Sequence, residues 1–187
     1  MDAGDVVRFV ATLLILAAIL AAIGGAVMAL DLTSYMATDR TTIGPEDAAR
    51  KALIVYDPGI TGTAKKSALW MGNDLATRGY NVTVAGVRSR GAENATEYSP
   101  VVLVAPAYAW GLPGTAKDYA RSAQINGSAI LGIYSIGEFP GVDGSTAGAE
   151  ASWSEAADPG ATCRGYVSAW DPDAEERSYA FIYDLLG

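Results

Sequence analysis

Apolar and polar positions divide this chain near residue 50. From Phe9 to Leu30 no residue is charged. Taken as a helix rising about 1.5 Å per residue, that run spans about 33 Å, enough to cross a bilayer. A secretory signal is the competing reading, since Arg8 precedes the run and Val27-Met28-Ala29 resembles a small-residue cleavage site. The apolar stretch is long for a signal, so residues 1–30 are expected to form a retained single-pass transmembrane anchor. Small residues recur on two helical stripes, Ala17-Ala21-Gly25 and Ala18-Ala22-Ala26. Such stripes allow two copies to pair as a homodimer in lipid, although an Ala-rich anchor that pairs with nothing has the same composition. Residues 31–50 are polar, carry Thr, Asp and Gly-Pro, and read as a linker.

Beyond Lys51 the pattern alternates between strand and helix. Ala52-Leu53-Ile54-Val55-Tyr56 is a short apolar run suited to a buried strand. Ala64, Ala68, Met71, Gly72 and Leu75 then recur on one helical face, and Gly79 ends that helix. Tyr80 to Val87 predicts a second strand, Pro100 to Ala105 a third covered on both faces, and Ala129 to Tyr134 a fourth. Ala116, Tyr119, Ala120 and Ala123 mark another helix face. Between Glu138 and Arg164 the chain is rich in Gly, Ala and Ser and predicts a poorly regular helix. A short fifth strand over Gly165 to Ala169 follows. Asp171-Pro172 then supplies an N-cap and first turn for a last helix that buries Phe181, Ile182 and Leu185. Regular alternation of this kind predicts an α/β domain over 51–187 with a parallel sheet and right-handed crossovers.

The chemistry concentrates in KALIVYDPGITGTAKKSA, residues 51–68. A strand leads into a Gly-rich, hydroxyl-bearing turn and directly into a helix. Free backbone N–H groups and the helix dipole make such a terminus a place for a phosphate. Gly59 and Gly62 allow a tight turn, and Thr61 and Thr63 add hydroxyls. No Gly-Lys-Ser/Thr follows at Walker spacing, so a nucleotide-triphosphate loop is excluded.

This turn resembles the phosphate loop of the flavodoxin family, with Thr61, Gly62 and Thr63 on the family's Thr-Gly core. Gly59 and Ala64 replace two family hydroxyls, and Asp57-Pro58 contains one extra residue. Ala105-Pro106-Ala107-Tyr108-Ala109-Trp110-Gly111 resembles the family's loop after its third strand, where a Pro-x-Tyr turn borders the flavin ring. The loop with Gly137, Glu138 and Phe139 lies where the family closes over the other side of the ring. The resemblance implies a doubly wound parallel five-stranded sheet of order 2-1-3-4-5, with FMN at its carboxyl edge. It implies a phosphate on Gly59, Ile60, Thr61, Gly62, Thr63 and Ala64. The ring would then meet Tyr108, Trp110, Gly111, Gly137 and Glu138.

Each of these residues has a plainer reading. Tyr108 and Trp110 can stack on the ring or simply cap the sheet edge. Glu138 can meet the ring's N–H edge or be a solvated loop carboxylate, the commoner state. Asp57, before a proline at a strand end, reads as a turn former. Lys65 and Lys66 bring positive charge to the turn. Trp70, Trp153 and Trp170 are assigned to packing.

Composition narrows the function further. At 187 residues with a net charge of −8, the chain is a poor candidate for nucleic-acid binding. With no histidine and one cysteine, Cys163, it has no His-based triad, no His-ligated zinc and no intrachain disulfide. Three sequons, at Asn81, Asn94 and Asn126, would require an extracytoplasmic domain to be used. Arg40, Arg50 and Lys51 after the anchor, against Arg8 before it, favour a cytoplasmic domain. The expectation is a membrane-anchored, FMN-binding electron carrier with a redox partner of unspecified identity. The alternative is a flavin-free interaction module on the same tether.

Overall fold

The computed structural model describes residues 3–108, 111–122, 131–141 and 163–187. Within its first helix, side chains are described at Asp5, 8–22, Gly24, Gly25 and from Leu32 onward. In chain order the elements are α1 (Ala3–Tyr35), β1 (Arg40–Ile43), β2 (Arg50–Tyr56), α2 (Thr63–Thr77) and β3 (Tyr80–Gly86). They continue with β4 (Val101–Ala107), α3 (Gly114–Arg121), β5 (Leu131–Gly137), β6 (Cys163–Ser168) and α4 (Ala174–Leu186).

The sheet has six strands in the order β1-β3-β2-β4-β5-β6. Five of them, β3-β2-β4-β5-β6, pair in parallel. This is the order 2-1-3-4-5 that the resemblance implies. The sixth strand is a correction. Arg40 to Ile43 pairs antiparallel with β3, Arg40 opposite Ala85 and Ile43 opposite Val82. The segment read as a linker therefore includes a strand that covers the free edge of β3, where unpaired backbone groups would otherwise lie open.

Period-two alternation builds the two faces of the sheet. From β2, Ala52, Ile54 and Tyr56 join one core cluster while Leu53 and Val55 join the other. The first cluster is closed by Ala64, Ala68, Met71 and Leu75 of α2 and by Phe181, Ile182 and Leu185 of α4. The second is closed by Ala116, Tyr119 and Ala120 of α3. The helix face read from the sequence in α2 is buried as expected, and Gly79 takes φ 83 just past its end. At the far side, Phe181 lies on Tyr134 with ring centroids 4.9 Å apart. Only glycine at 165 leaves room for this, because a Cβ there would stand 2.5 Å from the Phe181 ring.

The last helix begins later than its sequence signal. Its N-cap is Asp173, while the Asp171 carboxylate, two residues earlier, accepts the Asp173 N–H at 2.9 Å. The irregular helix expected between 138 and 164 falls mostly outside the described residues, as do Ala123 and Ala129.

The end of α1 is part of the domain. Ser34 and Ala37 are buried. The carbonyls of Ala37 and Asp39 accept the N–H groups of Arg88 and Gly86, both at 2.9 Å. Further back, Phe9, Leu13, Leu14 and Leu16 are exposed. Among the described residues no helix is long and apolar enough to cross a membrane. The expected membrane crossing thus has no support from the structure.

The junction between α1 and the sheet depends on Gly86, where a Cβ would lie 2.3 Å from the Ala37 carbonyl oxygen. Backbone cannot yield there as a side chain can. Gly86→Val is expected to lower stability by about 1–3 kcal/mol by overpacking. Urea unfolding of the variant checks this, and a variant as stable as the parent would mean that the junction moves freely.

Candidate functional site

Strand β2 ends at the carboxyl edge of the sheet, next to the point where strand order reverses between β2 and β4. The turn that follows has Gly59 at φ 64 and Gly62 at φ 70, both in the left-handed region. Gly62 occupies the N-cap position of α2. The first helical bond runs from Lys66 N–H to Gly62 O at 3.2 Å. The amides of Thr63, Ala64 and Lys65 therefore have no carbonyl behind them within the helix. A helix start of this kind favours an anion.

The turn already holds an anion, and the anion is Glu138. Its Oε2 accepts the Thr61 N–H at 2.9 Å, and the Ile60 N–H also donates to the carboxylate. Thr61 Oγ1 lies 3.2 Å from Glu138 Oε1 and 3.0 Å from Thr63 Oγ1, while accepting the Thr63 N–H at 3.2 Å. One hydroxyl proton serves either neighbour at a time. The carboxylate sits where the Gly59 side chain would be, since a Cβ there would stand 2.3 Å from Oε1. Glu138 is 3% exposed. The solvated loop carboxylate expected from sequence is thus corrected to a buried one. Nothing within the loop 134–139 signals this, because the partners lie 77 residues upstream.

Burial pushes the Glu138 carboxyl above its ordinary range, and the nearby Asp57 carboxylate adds to the rise. The bonds from Thr61 and Ile60 oppose it.

Asp57 is a second finding that sequence reasoning missed. It is fully buried, not an exposed turn former. Ser34 Oγ, from the end of α1, donates to Asp57 Oδ1 at 2.7 Å. Thr115 Oγ1, from the first turn of α3, donates to Oδ2. One carboxylate therefore joins α1, β2 and α3.

The other expected site residues divide. Gly59, Ile60, Thr61, Gly62 and Thr63 form the turn. Ala64 turns its methyl into the core and offers the turn only its amide. Tyr108 is 2% exposed and its ring faces Phe139 at 6.1 Å. It offers no open face for stacking in this arrangement. Gly111, at φ 114, exchanges both backbone bonds with Tyr108 at 2.9 and 3.0 Å. Trp110 lies outside the described residues. Gly137 ends β5. Trp170, read as a packing residue, is 62% exposed at this same edge, and its Nε1 donates to the Glu138 carbonyl at 3.3 Å.

Lys65 is committed elsewhere. Its Nζ meets Asp39 Oδ2 at 2.7 Å, and Tyr56 donates to the other oxygen of Asp39. Burial alone would raise the Asp39 carboxyl, but these two bonds and the Lys65 charge outweigh it and lower it. A 370 Å³ cleft opens between this pair, the end of α1 at Thr33 and Met36, and the turn at Ile60 and Gly62. Among the described residues no group of acidic, cysteine or histidine side chains is placed to hold a metal ion.

No protein-family model matches the sequence. Comparison with curated proteins finds no match. Solved structures do resemble it. A flavodoxin from Streptococcus pneumonia superposes with TM-score 0.58 at 19% identity, over 73% of this chain and 97% of that one. The fold is that of the flavodoxins. A flavodoxin from Fusobacterium nucleatum, solved with flavin mononucleotide bound, gives TM-score 0.54 at 11% identity, over 73% and 97%. A mutant flavodoxin from Pseudomonas aeruginosa gives 0.52 at 18%, over 73% and 99%.

A flavin phosphate can be tested against this flavodoxin-fold edge by its donors. The turn has the shape and the amides for a phosphate. With Glu138 in place, however, the amides of Ile60 and Thr61 are spent. A phosphate would need that side chain to withdraw before it could reach those amides.

The raised Glu138 carboxyl makes stability depend on pH. The folded state keeps a proton that the unfolded chain, near 4.5, releases. Its contribution is complete below about pH 4.5 and is lost as pH rises through the folded value. Glu138→Gln is expected to flatten that decline. Urea midpoints at pH 4.5 and 7 for parent and variant give the difference, and parallel slopes would contradict the assignment.

Proposed function

We propose that this chain is a flavodoxin-fold electron carrier that binds flavin mononucleotide through its phosphate and is tethered to a membrane by its N-terminal helix. The observation that carries the reading is the turn itself: two left-handed glycines ahead of the 15-residue α2, at the edge where strand order reverses. In this reading the amides of Gly59 to Ala64 hold the phosphate, and the loops carrying Gly111 and Gly137 border the ring. The bound flavin supplies the redox chemistry, while the chain fixes its position and electrostatics. A net charge of −8 favours a basic redox partner. The uncharged run 9–30 of the sequence motivates burial of α1 in lipid. The basic residues Arg40, Arg50 and Lys51 support a cytoplasmic domain.

A second reading, a flavin-free interaction module on the same tether, is favoured by two observations. Glu138 occupies turn amides, and Tyr108 is buried.

The visible spectrum of the full chain in mild detergent separates the readings. Flavin bands, present on isolation or gained on adding FMN, are expected for the carrier, and a colourless protein that takes up none leaves the module. Gly62→Val is expected to weaken FMN at least tenfold, about 1.4 kcal/mol. No atom crowds a Cβ there, so the cost comes from φ 70 and from closeness to the ligand. Fluorescence titration reads it, and equal affinities would move the phosphate elsewhere. The tether predicts that the full chain stays with membranes after alkaline carbonate washing, and that the chain lacking residues 1–30 does not.

A further inference from the structure

We propose that Glu138 is an internal latch on the phosphate turn, a carboxylate that occupies the seat of the ligand's phosphate and must swing out before that group can enter. The inference rests on reading 59–64 as an anion-binding turn, and it adds a regulatory element that belongs to this chain.

The geometry is that of one anion nested where another would go. Glu138 Oε2 takes the Thr61 N–H at 2.9 Å, Oε1 lies 3.2 Å from the Thr61 hydroxyl, and the Ile60 amide donates as well. The carboxylate fills the hollow left by the missing Gly59 side chain, with Cδ 2.9 Å from where a Cβ would stand. A backbone N–H has one hydrogen to give, so a phosphate and Glu138 compete for it directly. Two anions in one hollow also repel, and more strongly because the site is shielded from water.

The mobile part is the side chain. The Glu138 main chain is fixed on both sides, its N–H on the Ala107 carbonyl at 3.2 Å and its carbonyl on Trp170 Nε1 at 3.3 Å. The latch requires only that rotation about the side-chain bonds free the turn. The charged group facing Glu138 from just beyond β2 is Asp57, a like charge that favours departure. From the turn ahead of α2 the facing group is Thr61, whose amide and hydroxyl favour retention. Lys65, the nearby cation of the same helix, is bonded to Asp39. Release exposes the carboxylate to water, and the incoming anion takes over the amides, so neither set of polar groups is left unmade. Opposed terms of this kind make a two-position device.

Sulfate is the probe, because its charge is constant near neutral pH. Amide chemical shifts of Ile60 to Thr63 are followed by NMR in the isotopically labelled full chain in detergent, with Glu138→Gln and Glu138→Asp beside the parent. Glu138→Gln removes the charge. Glu138→Asp keeps it but draws it back from Thr61 by one methylene. The latch predicts at least tenfold tighter sulfate binding at these amides in both variants. No gain in either variant overturns it. A gain in Glu138→Gln alone is a general charge effect and overturns it too. FMN and riboflavin are then titrated by fluorescence. A sulfate gain without any FMN uptake keeps the latch and removes the flavin reading. FMN binding that is equal in parent and variants keeps the flavin reading and removes the latch.

Discussion

Backbone donors in a buried turn must be satisfied, and just ahead of α2 a side chain from beyond the end of a distant strand satisfies that of Thr61. The Glu138 carboxylate on the amides of Ile60 and Thr61 joins the ends of β2 and β5 across the end of β4. Gly59 makes the crossing possible. A Cβ there would press on Glu138 and stand 3.0 Å from Pro106, at the end of the intervening strand. An unpaired N–H in such a place costs about 1–3 kcal/mol, comparable to a good part of a domain's net stability. The same donors are what a phosphate would use. Under the proposed phosphate reading, stability and binding would draw on one set of hydrogen bonds.

Asp57 performs a parallel task one residue beyond β2. A fully buried carboxylate is tolerated only when hydrogen-bonded, and the hydroxyls of Ser34 and Thr115 meet that need. Through it, the end of α1 and the first turn of α3 are held to the strand that carries the turn. Ala37 and β1 extend the attachment along the edge of β3. The N-terminal helix thus meets the domain at a packed junction. Whatever holds α1 also sets the direction in which the carboxyl edge faces.

The aromatic residues divide by environment. Tyr108 and Phe139 pack against each other at the carboxyl edge, whereas Trp170 stands open beside Glu138. Of the aromatic side chains described at this edge, Trp170 has the most surface to offer a planar group. The sequence assigned it to packing because it lies outside the loops the resemblance marked.

The sequence by itself determined what depends on local periodicity. Apolar runs at 52–56 and 100–105 could only be buried strands, and the spacing of Ala64, Ala68, Met71, Gly72 and Leu75 fixed which side of α2 meets the sheet. Gly59, Gly62 and Gly79 announced positive φ because few other residues adopt it cheaply. Tertiary structure alone decided the fate of the polar groups. A lone Glu or Asp has the same local pattern whether it is solvated or buried on a partner. For Glu138 the partner lies 77 residues away, and for Asp57 one partner is 23 residues before it and the other 58 after. Strand β1 was illegible for a related reason. Its residues 40–42 are exposed and polar, and it exists because β3 presents an edge for it to pair with. Periodicity encodes what faces the core, whereas a long-range polar contact is encoded only in the folded chain that brings its two ends together.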